Sequence, residues 1–272
     1  MNLPNHYYMP KIRLNAVSYL NTKPLVYALE EQLLSHNFMM MYDVPAICAR
    51  QIKDGEADAG VIPSIAYARS KVAYAIVPDI AIASNGPVNS IFLFHTVPIE
   101  QIKSVALDTS SRTSVALTHI ILKEKYQQNF TSINHPPILD KMLSVADAAL
   151  VIGDPALDLA GRPEPHLDLG KEWTEMTNLP FVYAFWAGQA GRLNPSDVLI
   201  LQEAKKIGLA ALTRIAVEYA RSNPGSGLFY EAYLREHLQY DFGPDEQKGL
   251  MAFYELAHQY DLIDAVPALH FF

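Results

Sequence analysis

A single cysteine, Cys48, stands among 272 residues, and it is the first of several scarcities. One thiol forms no internal disulfide and no cysteine-based metal cluster, which fits a reducing compartment. Long apolar runs are missing as well: the stretch Phe181 to Trp186 falls far short of the ~20 residues that a membrane helix needs. The opening MNLPNHYYMPKIR has no apolar core of the signal-peptide kind. These absences predict a cytoplasmic protein without a membrane partner. Positive charge is in short supply too, with 21 Lys and Arg against 29 Asp and Glu and a net charge of −8. Nonspecific nucleic-acid binding needs a basic surface that releases counterions, so no nucleic-acid partner is expected. A small anion held in a local positive pocket remains compatible with this balance. The nine histidines show no HxH or HExxH spacing, so no metal site is expected. No GxSxG elbow, Walker sequence, GxGxxG loop or internal repeat occurs either.

What is present is a chain that is half apolar, long enough to bury roughly 75% of its unfolded surface. Over the first two thirds, short β-rich runs alternate with helix-like stretches: Ile12 to Tyr19 then Pro24 to Leu34, Ala59 to Ile62 then Ser64 to Arg69, Ser104 to Leu107 then Thr113 to Lys123, and Ala148 to Ile152 then Pro155 onward. Such alternation predicts an α/β protein with largely parallel sheet. The last third is helical in pattern. Leu201, Ala204, Gly208, Leu212, Ile215 and Tyr219 keep a helical period until Asn223-Pro224-Gly225 stops it, and further helices are expected around Tyr230 to Leu238 and Asp245 to Tyr260. Two apolar runs, Asn89 to His95 and Phe181 to Trp186, lack a following helix. Each reads as a strand crossing between lobes, with residues 98–182 inserted into a first lobe made of 1–97 and 183–272. Charge does not separate the two parts; strand pattern does.

Ligands of open α/β sheets gather beyond the carboxyl ends of strands, where helix N-termini present unpaired N–H groups. Four junctions qualify. VSYLNTKPL places Asn21 and Thr22 before Pro24, and GVIPSIAYA places Ser64 after Pro63; helix capping is the plain alternative for Thr22 and Ser64. VALDTSSRTSVAL crowds Ser110, Ser111, Arg112, Thr113 and Ser114 at one helix mouth. A cap needs one hydroxyl, so the surplus and the arginine suit a carboxylate or phosphate. ALVIGDPAL delivers Gly153 and Asp154, the latter either a cap or a crevice residue, and SNGPVNS adds Gly86, Asn89 and Ser90 at the first proposed crossing. Cys48 and the tryptophans read as core.

Taken in order with IPS, DLGKEWTEMTNLPFVYAFWA and the closing FYELAHQYDLI, these blocks resemble the chorismate dehydratases of the futalosine route to menaquinone, from about Lys11 to Ile263. The resemblance implies a two-lobed type II periplasmic-binding-protein-like fold with an interlobe ligand cleft and C-terminal helices. It implies loss of water from chorismate to give 3-[(1-carboxyvinyl)oxy]benzoate, with no metal or organic cofactor. Asn21 and Ser90 match the family's strand-end Asn and cleft Ser, and are expected to be catalytic. Ser110, Ser111, Arg112 and Thr113 are expected to hold a substrate carboxylate, with Thr22, Ser64, Gly86, Asn89 and Gly153 around the substrate. The proton acceptor is left open between Asp154 and the substrate's own enolpyruvyl carboxylate. Two alternatives stand beside this: a non-catalytic small-anion-binding protein of the same fold, and the sibling 1,4-dihydroxy-6-naphthoate synthase, whose His-Glu pair is replaced here by Gly153-Asp154. A regulatory domain lacks a helix-turn-helix to support it. Oligomeric state is not legible.

Overall fold

The computed structural model describes residues 11–108 and 110–272. Ten strands run in chain order as β1 (Ile12–Val17), β2 (Phe38–Asp43), β3 (Ala59–Pro63), β4 (Tyr74–Ser84), β5 (Ile91–His95), β6 (Ser104–Asp108), β7 (Thr131–His135), β8 (Ala148–Ile152), β9 (His166–Asp168) and β10 (Phe181–Gln189). Between them lie helices α1 (Lys23–Glu30), α2 (Pro45–Lys53), α3 (Ser64–Ala68), α4 (Arg112–Glu124), α5 (Leu139–Leu143), α6 (Asp154–Leu157) and α7 (Leu169–Thr177). The C-terminal layer follows as α8 (Pro195–Ala210), α9 (Leu212–Ala220), α10 (Gly227–Ala232) and α11 (Pro244–Gln259).

The strands form two five-stranded sheets, ordered β2-β1-β3-β10-β4 and β7-β6-β8-β5-β9. Each contains one strand that runs against its neighbours: β10 is antiparallel to β3 and β4, and β5 is antiparallel to β8 and β9. These are the strands that follow directly on a passage of the chain from the other sheet. The remaining contacts, β1 with β2 and β3, and β6 with β7 and β8, are parallel. By sheet membership the first passage falls at residues 85–90, earlier than the expected 97/98, because β5 pairs wholly within the second sheet. The return lies between α7 and β10.

Strands β3 and β8 are buried at every residue, as parallel strands covered on both faces are. Proline opens α2, α8 and α11, where its missing N–H costs nothing. Asn194 and Asp197 close a reciprocal capping box on α8. The helical run expected through Tyr219 divides at Ala211, where φ of −105° and ψ of 12° leave the helix. Gly208 before that bend lies against α1 so closely that a Cβ would meet Pro24 O at 1.8 Å. Where α7, β10 and α11 meet, Trp173, Phe181 and Phe253 pack edge to face with centroids 5.0 to 6.2 Å apart. The exposed edge of β4 is covered by backbone pairing: Ile76 donates to His270 O at 2.7 Å, and Ala83 to Gln239 O at 2.9 Å. The terminal aromatic Phe271 thus belongs to an edge-covering segment. Among the described residues no helix is long and apolar enough to cross a membrane.

Candidate active site

The carboxyl ends of β1, β3, β6 and β8 face one cleft between the sheets. It leaves about 560 Å³, counting its open mouth. Asn21, Thr22, Ser90, Ser111, Thr113, Ser114 and Gly153 line it, with Tyr19 and Tyr183 and an apolar wall that includes Val17, Val61, Ile82, Val88 and Ile152. Among the described residues no charged side chain and no histidine lines this cleft. Its polarity comes from hydroxyls, one amide and helix N-termini.

On one wall, a 3-10 turn at Leu20–Thr22 carries Asn21 and Thr22 into α1. Thr22 makes no capping bond; its hydroxyl donates instead to Asn21 Oδ1 at 3.3 Å. Beside it, Tyr233 donates to Ser90 Oγ at 2.9 Å. With its oxygen accepting from Tyr233, Ser90 retains its own O–H for the cleft. Burial raises the Tyr233 phenol well above its ordinary ionisation range, so it stays a neutral donor. Tyr233 sits where α10 gives way to a π-helical turn, Tyr233–His237. Such a turn re-aims side chains and recurs at functional sites. Nothing in the sequence marks it, since the residue reads there as one more apolar position of a packing helix.

On the other wall, α4 points its N-terminus inward. Ser111 caps it, accepting from Ser114 N at 3.3 Å, and its hydroxyl donates to Ser114 Oγ at 2.9 Å. Thr113 Oγ1 accepts from Ile65 N at 3.2 Å, tying α4 to α3 across the cleft. Ser114 is left with an O–H to donate, whereas that of Thr113 is directed to Ser64 Oγ at 3.5 Å, since Ser64 gives its own hydrogen to Val182 O. Ser110 lies at the rim, donating to Asp108 Oδ1 at 2.7 Å and accepting from Tyr19 at 3.2 Å. Gly153 has φ +66°, and a Cβ there would stand 2.7 Å from the Tyr19 ring; only glycine fits both demands.

Other expected residues lie elsewhere. Arg112, expected beside a substrate carboxylate, is not among the residues that line this cleft; it is exposed and lines a second groove. The helix period explains this, because Ser111, Thr113 and Ser114 occupy the inward face and turn Arg112 away. Ser64 is fully buried behind the wall, donating to Val182 O at 2.8 Å. Gly86 and Asn89 belong to the first interlobe passage: Gly86 N donates to Thr174 Oγ1 at 2.9 Å, and Asn89 N to Asp168 Oδ2 at 2.7 Å. Asp154 neither lines the cleft nor caps its helix. Its carboxylate crosses between lobes, accepting from Leu20 N at 2.9 Å and Tyr219 OH at 2.7 Å. Burial raises its pKa above the ordinary carboxylate range. Among the described residues no three His, Cys, Asp or Glu side chains gather into a metal-ligand set.

The family model for menaquinone biosynthesis matches residues 12–259. The chain belongs to that family. It is 32% identical to the chorismate dehydratase of Thermus thermophilus over 262 residues, which span 87% of this chain and 92% of that protein. A second chorismate dehydratase, from Campylobacter jejuni, is 30% identical over 173 residues, 62% of this chain and 63% of its own. In structure, a protein from Archaeoglobus fulgidus superposes with a TM-score of 0.78 at 17% identity, covering 94% of this chain and all of that one. The periplasmic aliphatic sulphonate binding protein of Escherichia coli gives 0.68 at 13% identity, covering 95% of each chain. The fold of this family member is thus the two-lobed periplasmic-binding-protein-like one.

Proposed function

We propose that the protein is a hydro-lyase that converts chorismate to 3-[(1-carboxyvinyl)oxy]benzoate and water in menaquinone biosynthesis. The observation that carries this reading is the likeness to the Thermus enzyme along most of both chains. The cleft supplies a chemical account of how.

Loss of the ring C3 hydrogen and the C4 hydroxyl turns a cyclohexadiene into a benzene ring. The overall step is strongly downhill, and only the first bond change has to be made easier. The C3 hydrogen is acidified through the C1–C2 double bond by the ring carboxylate, so negative charge develops there as the proton leaves. Donors aimed at that carboxylate stabilise the transition state more than the ground state. The α4 mouth, with Ser111, Thr113, Ser114 and the helix N-terminus, is placed to do this without a cation. Asn21 and Ser90 face the reacting edge from the other wall. Ser90, whose oxygen accepts from Tyr233, donates to the C4 hydroxyl as it departs.

The proton acceptor is the substrate's own enolpyruvyl carboxylate. Support comes from the cleft lining, which has no carboxylate and no imidazole among the described residues, and from Asp154, whose oxygens are already engaged. The C3–H electron pair becomes the new ring π bond, the C4–O bond breaks, and the proton leaves with the hydroxide as water. Asp154 is a positioning residue that holds the Leu20–Asn21 turn. Incubating purified, EDTA-dialysed protein with chorismate and following it by chromatography with mass detection tests this. A product lighter by one water is expected. Chorismate bound saturably but recovered unchanged would make the protein a receptor instead.

A further inference from the structure

Beyond the cleft lining, where α2, α3 and the start of α4 come together, lies a groove of about 720 Å³, counting its open side. Five cations line it: Arg50 and Lys53 from α2, Arg69 and Lys71 after α3, and Arg112 at the start of α4. None forms an ion pair with a carboxylate among the described residues, whereas eleven other lysines and arginines do. Arg69 donates one bond, from Nε to Leu262 O at 2.8 Å, which fixes its guanidinium and leaves the other nitrogens free. Burial and the nearby charge of Arg112 both lower its pKa. In a chain of net charge −8, such a gathering of unpaired like charge is costly unless an anion offsets it.

We infer that this groove is a second anion site, which takes a compact polyanion bearing two or more linked phosphoryl groups. The lining supports that chemistry over an organic acid's. Three guanidiniums present forks that match phosphate oxygens, and two ammoniums add point charge. Among the described residues no carboxylate, amide or imidazole shares the lining, whose residues other than the cations are Ala49, Ala66, Ser70 and Tyr74, so charge rather than a specific organic shape is what it recognises. The concave shape excludes a flat anionic membrane. The groove also joins the lobes: four of its cations stand on the part of the chain that carries the first sheet, and Arg112 on a helix packed on the second. A bound polyphosphate therefore touches both lobes.

Isothermal titration of the full chain with inorganic tripolyphosphate, and separately with ATP, tests this. Saturation at one equivalent is expected for tripolyphosphate, weakening steeply with added KCl. Lys53→Gln/Lys71→Gln is expected to bind at least about tenfold more weakly, with chorismate turnover in the absence of polyphosphate unchanged. Arg112→Gln is expected to lose affinity similarly, since it contributes from the other lobe. ATP binding more tightly than tripolyphosphate would place the ligand among nucleotides; the reverse order would place it among free polyphosphates. No saturable binding, or undiminished binding by the Lys53/Lys71 variant, overturns the proposal. So does a raised KM for chorismate in that variant without any polyphosphate binding, because the cations would then be steering substrate. Calorimetry reads this site whether or not chorismate turns over.

Discussion

Two concavities meet at the start of α4, and they offer an anion opposite things. The inner cleft presents hydroxyls, an amide and a helix mouth against apolar walls, with no charged side chain among the described residues. The outer groove presents five cations that form no ion pair among the described residues, with Ala49, Ala66 and Tyr74 as its apolar residues. Fixed neutral dipoles against apolar walls stabilise charge as it develops without anchoring the ground state as a cation would. Dense positive charge suits tight holding of a multivalent anion and no bond change. One helix turn separates the two behaviours: Ser111, Thr113 and Ser114 face inward, and Arg112 outward.

Changes that strip the inner donors break this contrast most severely. Asn21→Ala and Ser90→Ala are each expected to lower kcat/KM for chorismate by about 10² to 10³-fold, the range for removing one preorganised donor, as steady-state kinetics reads. Next comes Gly153→Ala, which forces a Cβ against Tyr19 at positive φ. It is expected to destabilise the fold by about 1–3 kcal/mol, measured by urea unfolding, and to weaken turnover through the displaced Tyr19. A smaller effect sharpens the account of Ser90: Tyr233→Phe removes the phenol that donates to its oxygen, and kcat is expected to fall about tenfold with KM nearly unchanged.

The smallest effect separates burial from catalysis. Asp108 is 1% exposed, with Oδ2 unpaired among the described residues, and burial raises its pKa, as it does for Asp154 and Asp168. A raised folded-state pKa means that the folded chain binds more protons than the unfolded one between the two values. The stability this contributes is complete below the unfolded carboxylate pKa and is lost as pH rises through the folded one. Thermal unfolding of Asp108→Asn is therefore expected to show a flatter decline with rising pH above about pH 4 than wild type.

Much of the fold was legible because it rests on local signals. Strand-to-helix junctions announce themselves by apolar runs ending in Asn, Ser, Asp or Gly before proline, and the hydroxyl-rich turn before α4 stands out for having more donors than a cap uses. The two unaccompanied apolar runs pointed to the interlobe passages, although the first passage precedes β5. Side-chain direction was not legible: nothing in DTSSRTS says which residue faces the cleft until the helix phase is fixed by packing. Asp154 was ambiguous for a related reason, since its partners, Leu20 N–H and Tyr219, are 134 and 65 residues away in sequence. Tyr233 was invisible, because its role depends on a π-helical turn and on Ser90, 143 residues distant.

The claim at the centre is that no side-chain carboxylate takes the proton. The direct test is kcat of Asp154→Asn with chorismate, since the amide is nearly isosteric and its oxygen still accepts from Leu20 N–H. The account predicts turnover within about tenfold of wild type, the loss expected of a positioning residue. A fall in the ~10² to 10⁴ range that a general base contributes, with the fold and chorismate binding intact, would contradict it and make Asp154 the base.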